Sequence, residues 1–174
     1  MDNGDMRADT NNELNISCLF REFSDNLLGL AVSHIWRGAG SAIFIEFGNL
    51  HARVRRDGVI KLRMDGSDFS YGDFTLRIEF SWRIESKRSI LCGSWSDEAR
   101  WPRALRLLKH ATVTEVKLFG HLPEIEIQFS NGVRLLSFMS SDGDPQWRLS
   151  DRRQSPGRWL CVRRGKLLLQ EESA

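Results

Sequence analysis

From Glu124 onward polar and apolar residues alternate: Glu124, Glu126 and Gln128 interleave with Ile125, Ile127 and Phe129, and Asn131-Gly132 precedes a second apolar run. Period two followed by Asn-Gly is the signature of two half-buried strands joined by a tight hairpin. A two-residue turn there opposes Ile127 to Leu136 and Ile125 to Phe138; the same count at Gly48-Asn49 opposes Ile45 to Ala52 and Ile43 to Val54. At Asp57-Gly58 a two-residue loop would set Val54 against Lys61, whereas a loop of Arg56, Asp57 and Gly58 sets it against Ile60, so the longer loop, with Gly58 left-handed, keeps apolar residues on one face. Phe74, Leu76, Ile78, Phe80 and Trp82 hold one side of a single long strand and Thr75, Arg77, Glu79, Ser81 and Arg83 the other. A turn at Arg164-Gly165 places Val162 opposite Leu167 and Leu160 opposite Leu169.

Two segments change period. Trp101, Leu105 and Leu108 form a helical stripe, with Ser96 or Asp97 as N-cap, Pro102 in the first turn and an end near Lys109. Cys18 or Leu19, Phe23 and Leu27 recur at spacing four, which predicts a second helix from Glu13 to Leu28 ended by Gly29. Each helix opens a similar series. Leu27-Leu28, Val32, Ile35, Gly38, Ile43, Ile45, Phe47 and Asn49 are echoed by Leu107-Leu108, Val113, Val116, Gly120, Ile125, Ile127, Phe129 and Asn131, and later Trp82-Arg83-Ile84 by Trp147-Arg148-Leu149 and Leu91-Cys92 by Leu160-Cys161. The fold class expected is α+β with mainly antiparallel β: two pseudo-repeated helix-plus-β-meander halves, about 12–95 and 96–172, in one compact domain spanning 1–174 with residues 1–11 disordered. Its sheets are either one continuous sheet or two packed ones.

Composition agrees with a single folded domain: 174 residues, 41% hydrophobic and 28% charged, suffice for a core without disulfide or metal staples. A net charge of +2 argues against a dedicated nucleic-acid binder, yet it averages an acidic start (Asp2, Asp5, Asp9, Glu13, Glu22, Asp25) and a basic stretch from Arg148 to Lys166. Those ends form a solvated face, pair with each other, or meet an anionic partner. Three distant cysteines without a Cys-x-x-Cys pair fit a reducing compartment, and the acidic start and lack of a long apolar run indicate a cytoplasmic protein with no membrane segment.

Catalytic signatures are scarce. Gly38-Ala-Gly40 lacks the rest of a phosphate loop, there is no Gly-x-Ser-x-Gly elbow, and His34, His51, His110 and His121 are scattered without a second ligand nearby in sequence. Cys92, before a glycine turn, is the best-placed thiol, but its neighbours are apolar and predict a buried strand cysteine. Glu124 and Glu126 share a face as an acid/base pair would, and as a solvent-facing strand would. No cofactor, metal site or enzymatic activity is expected. Among six tryptophans, Trp82, Trp101 and Trp147 fall on core positions, whereas Trp36-Arg37, Trp95 and Arg158-Trp159 lie near strand ends or loops; Trp and Arg are the types enriched at binding hot spots.

The stretch Leu122-Pro-Glu-Ile-Glu-Ile-Gln-Phe-Ser-Asn-Gly-Val-Arg-Leu-Leu-Ser-Phe138, followed by Pro145-Gln-Trp-Arg-Leu149, resembles small β-rich bacterial proteins, some of which serve as immunity proteins of toxin systems. The resemblance covers mainly residues 107–165, carries no catalytic residue across, and implies an interaction protein that neutralises a partner. The expectation is thus a non-catalytic binding protein whose partner is another protein or a second copy of the chain, with Trp36, Arg37, Trp95, Arg158 and Trp159 as candidate surface. The alternative is small-molecule or anion binding in a cleft between the halves, lined by Trp and Arg.

Overall fold

A computed structural model describes residues 17–55, 57–62, 69–79, 81–140 and 146–171; the expected disorder of 1–11, the start of the leading helix at Glu13 and the core position of Phe80 lie outside these. Residues 17–27 form helix α1, which buries Phe20, Phe23 and Leu27 on one face. Strands β1 (Val32–Arg37), β2 (Ile43–Phe47), β3 (His51–Ala52), β4 (Ser70–Tyr71), β5 (Phe74–Ile78), β6 (Trp82–Glu85) and β7 (Ile90–Gly93) follow. Asp97 then caps a 3-10 turn, Glu98–Arg100, by accepting from the Ala99 amide at 3.0 Å, and the chain continues as helix α2 (Trp101–Leu108). Strands β8 (Val113–Phe119), β9 (Glu124–Phe129), β10 (Arg134–Ser137), β11 (Trp147–Asp151), β12 (Arg158–Arg163) and β13 (Lys166–Glu171) complete the described chain.

All strand pairs are antiparallel. A six-stranded sheet runs β1-β2-β5-β11-β12-β13, a five-stranded one β7-β6-β10-β9-β8, and β3-β4 is a separate two-stranded arm. The mainly antiparallel α+β class therefore holds, but the expected meander halves do not: β11 to β13 complete the sheet begun by β1, β2 and β5, while β6 and β7 complete the one begun by β8, β9 and β10. The expected single strand from Phe74 to Arg83 is accordingly two strands in different sheets, broken at Ser81 with φ of 62°. Phe74, Leu76, Ile78, Trp82 and Ile84 are all buried, so the inward phase survives the crossing and alternation cannot reveal it.

Turn chemistry decides the remaining registers. The loops at Asp57-Gly58 and Arg164-Gly165 behave as expected, with Val54 bridging Ile60, Val162 facing Leu167 and Leu160 facing Leu169. The Asn131-Gly132 hairpin is one residue longer than a two-residue turn: Ile127 faces Leu135 and Glu126 faces Leu136. Ser130 joins the loop, Asn131 Oδ1 accepts from the Val133 amide at 3.1 Å, and only Gly132 is left-handed, a type I turn with a bulge rather than the type I′ turn that needs two positive φ values. At Gly48-Asn49 the expected hairpin is replaced by a departure from the sheet: β2 pairs with β5, opposing Ile43 to Ile78 and Ile45 to Leu76, while Asp73 ties down the arm by accepting from the Asn49 amide at 2.8 Å and facing His51 at 2.8 Å. Burial alone would raise the Asp73 carboxyl, but His51 and the Asn49 donors outweigh it and hold it below the ordinary carboxylate range.

Gly72 sits where the arm rejoins the sheet. A Cβ there would lie 2.5 Å from the Phe47 carbonyl oxygen and 2.8 Å from that of Phe74, both backbone atoms, while its amide donates to the buried Glu46 at 2.9 Å. Gly72→Ala is expected to cost about 1–2 kcal/mol by forcing that backbone apart. A urea midpoint unchanged from the wild type would show that the strands yield freely at this point. Inside, one apolar cluster joins Phe23 and Leu27 of α1, Trp101 and Leu108 of α2 and the inward residues of both sheets, including Ile45, Leu76, Ile84, Ile127, Trp147 and Leu160.

Candidate functional site

The outward and lateral residues of β1 face α2 across an open space. Ile35, Trp36, Leu62, Phe69, Pro102 and Leu105 give the resulting cleft an apolar surface, its volume is about 750 Å³, and the charged groups around it are Arg37, Lys61, Arg106 and Lys109. None of the lining residues among those described is acidic. A site of this size with an apolar body and a few polar groups is the usual form of a small-ligand pocket.

Local sequence explains how each wall arises. Along α2 the stripe Trp101, Ala104 and Leu108 is buried in the core, which leaves Pro102, Leu105, Arg106 and Lys109, at helical spacing on the adjoining face, for the cleft. In β1 the alternation turns Ile35 toward the inner side and Trp36 to the outer face of the six-stranded sheet, where its ring stacks on Phe44 at 3.6 Å and its Nε1 donates to Glu46 at 2.9 Å. Phe69 of the arm meets the Trp36 ring edge-on at 5.8 Å, and Lys61 lies over Phe69 at 5.5 Å. Arg37 is held against Glu98 at 2.5 Å and over the Trp101 ring at 4.5 Å. Arg106 and Lys109 are exposed and form no ion pair among the described residues. Among the described residues, the charge of Arg106 and Lys109 on the rim therefore meets no carboxylate in an ion pair.

No family model, curated protein or solved structure matches this chain. The chemistry of the site thus rests on its own residues.

Of the five residues expected to form one surface, only Trp36 and Arg37 belong to the cleft. Trp95 is 88% exposed on the turn after β7, in the other sheet. Arg158 and Trp159 are neighbours on β12 and so point to opposite faces. Arg158 reaches Glu22 of α1 at 2.7 Å, and Arg153 donates to Asn26 at 3.2 Å, so part of the basic stretch pairs with the acidic early chain. Trp159 lies on the outer sheet face, its Nε1 donating to Gln170 at 2.9 Å. The five do not make a single patch.

The other candidates are built into the fold. Cys92 is buried on β7, where burial pushes its thiol above its ordinary value despite Ser96 and Gly93, the reverse of what a nucleophile needs. It is also not the counterpart of Cys161: Cys92 opposes Ile84 and points inward, whereas Cys161 opposes Arg148 and lies on the outer face. Glu124 and Glu126 are buried rather than solvent-facing; Glu124 accepts from Ser137 Oγ at 2.7 Å and from the Met139 amide, and Glu126 lies 3.5 Å from Lys117 and 3.4 Å from Arg134. Among the described residues no group of three His, Cys, Asp or Glu side chains could hold a metal ion, and no helix is long and apolar enough to cross a membrane.

Sequence reasoning missed Lys61, Leu62, Phe69, Leu105, Arg106 and Lys109. A signal existed for the helix: Pro102, Leu105, Arg106 and Lys109 make a second stripe beside the core stripe. Nothing local marks the arm residues, whose approach to β1 is a long-range event.

Proposed function

We propose that the protein binds an amphipathic anion, an acyl or aromatic body carrying a carboxylate, sulfonate or phosphate, in the cleft between β1 and α2. The observation that carries this reading is an apolar cleft of about 750 Å³ whose charged lining residues, among those described, are all cationic. The apolar body would displace water from Ile35, Trp36 and Leu105, and the anionic head would meet Arg106 and Lys109 at the rim. No step of this reading requires bond-making.

We infer that the halves are copies related by a pseudo-twofold axis at the Ala31–Thr112 bridge, with strands exchanged between them. Hydrogen bonds around that bridge occur in matched pairs: Gly29 N to Val113 O with His110 N to Val32 O, and Val113 N to Leu30 O with Val32 N to Ala111 O. Gly29 and His110 are both left-handed, and Trp82 and Trp147 each donate to a backbone carbonyl just before β2 or β9, at Ser41 and Pro123. The exchange agrees with the sheet orders, β1-β2-β5-β11-β12 against β8-β9-β10-β6-β7. Against this symmetry the cleft is one-sided. The arm, with its Lys61, Leu62 and Phe69, is inserted between β2 and β5, whereas β9 and β10 are joined by a tight turn, and α1 has Asp25 and Leu28 where α2 has Arg106 and Lys109.

The test uses 1-anilinonaphthalene-8-sulfonate, an aromatic sulfonate that brightens when it leaves water. At low ionic strength the wild type should bind it saturably, and Arg106→Glu/Lys109→Glu should weaken binding about tenfold, the effect of removing roughly 1.4 kcal/mol of attraction. Leu105→Glu should abolish it. Unchanged near-ultraviolet circular dichroism in each variant guards against dye uptake by a loosened core. Equal affinity in all three proteins would place the dye elsewhere and remove the proposal.

A further inference from the structure

A second site lies on the outer face of the six-stranded sheet. Antiparallel register makes Arg77 of β5 and Arg148 of β11 direct cross-strand partners, so two arginine side chains leave the sheet from neighbouring positions on one face. Directly opposed like charges are unfavourable in a sheet. The corresponding place in the five-stranded sheet avoids the conflict: Arg83 of β6 opposes Leu136 of β10 and pairs with Glu85 at 2.9 Å.

Neutralisation of the arginine pair is incomplete. Glu79 pairs with Arg77, but Arg148 has no ion pair or hydrogen bond to a carboxylate among the described residues. The Nε atoms of both, like that of Arg83, are buried and make no hydrogen bond. Burial, with smaller contributions from Arg77 and Arg152, lowers the proton affinity of the Arg148 guanidinium, and outweighs the opposing influence of Cys161 and Glu79. Among the described residues the protein thus holds a surplus of donors and of positive charge at one place on a sheet face.

The pair is also held in position from both sides. Arg77 lies over the Phe44 ring at 5.4 Å, and Phe44 stacks on Trp36, which Glu46 fixes through its Nε1. Arg148 lies over the Trp159 ring at 4.9 Å, and Gln170 fixes that ring through Nε1. Aromatic support of a guanidinium leaves its planar fork free to bind in-plane acceptors, and a fork already ordered loses little freedom when it does so. We propose that Arg77 and Arg148 form an oxyanion-binding site, distinct from the cleft, that takes a carboxylate or phosphate group bridging the two forks. The ligand would accept from both guanidinium groups and screen their repulsion.

The experiment follows the guanidinium Nε–H signals of Arg77, Arg148 and Arg83 by 15N–1H correlation spectroscopy. The full chain is titrated in turn with inorganic phosphate and with acetate, against chloride at matched ionic strength. The expected result is a saturable shift of the Arg77 and Arg148 signals with one or both oxyanions and not with chloride, while Arg83 stays still; the titrant that binds names the source of the oxyanion. Arg148→Gln should weaken that binding at least tenfold, and Arg148→Lys, which keeps the charge but loses the fork, should fall between. Arg148→Gln should leave dye binding in the cleft unchanged, so that failure here and failure of the cleft reading are told apart. No saturable shift with either oxyanion, an equal shift at Arg83, or undiminished binding by Arg148→Gln would overturn the proposal.

Discussion

Trp147→Ala is expected to destabilise the protein by about 3–5 kcal/mol, the usual result of emptying a tryptophan site in a packed core. Trp147 is fully buried on β11, and its Nε1 donates to the Pro123 carbonyl at 2.8 Å, so the variant loses packing and leaves an acceptor unpaired. Trp82 is 2% exposed, donates to the Ser41 carbonyl at 2.6 Å and meets Trp101 edge-on at 5.0 Å. Under a duplicated, strand-exchanged architecture Trp82→Ala should cost a similar amount, because each tryptophan fastens a strand in one sheet to the hairpin that its own half contributes to the other sheet. Trp95→Ala, at an 88% exposed position, should stay within about 0.5 kcal/mol of the wild type. Urea unfolding followed by far-ultraviolet circular dichroism measures all three. A loss below about 1.5 kcal/mol at Trp147 would mean that the site collapses on itself and does not tie the two sheets together.

The second large effect concerns charge. Asp151, 4% exposed at the end of β11, accepts from Arg153 Nε at 3.0 Å, from Arg153 Nη2 at 2.8 Å and from the Arg153 amide at 3.1 Å, with Arg158 Nη2 at 4.0 Å. Asp151→Asn keeps the shape and removes the charge, leaving two arginines without their shared partner. We expect a loss of about 2–3 kcal/mol near neutral pH, less than for a fully buried pair because both arginines retain contact with water. Burial alone would raise the Asp151 carboxyl, but the hydrogen bonds and charge of Arg153, with Arg158, overcome it and hold it below the ordinary carboxylate value. The folded protein therefore binds this proton less readily than the unfolded chain. The stabilisation is complete above about pH 5 and is lost as pH falls through the lowered value, so stability should drop on acidification in the wild type. Asp151→Asn should show a shallower decline below about pH 5. Parallel curves for the two proteins would assign the acid sensitivity to other carboxylates.

Both effects bear on function, since the cleft is framed by elements from the two halves. β1 and the arm come from the first, α2 from the second, and their relative position depends on the shared core and on contacts such as Arg37 to Glu98. A destabilised variant that still folds should keep the cleft. One in which the halves separate should lose it.

Local physics was legible in the amino-acid sequence alone. The stripe of Phe23 and Leu27 and that of Trp101 and Leu108 placed both helices, because helical periodicity is a short-range property. Gly58 and the Arg164-Gly165 pair set their turns and hence the facing of Val54 with Ile60 and of Val162 with Leu167, since turn geometry is decided within a few residues. Core tryptophans at 82, 101 and 147 followed from phase. Tertiary structure alone decided which strands became neighbours. Inward phase is the same whether β5 and β6 are one strand or two strands in different sheets, so the exchange of strands between halves leaves no local mark. The same holds for the sites: Trp36 and Arg37 stood out by type, but that Leu105, Arg106 and Lys109 would face them, and that Arg77 would stand opposite Arg148, depended on strand order and helix placement, which arise from packing over the whole core rather than from any one segment.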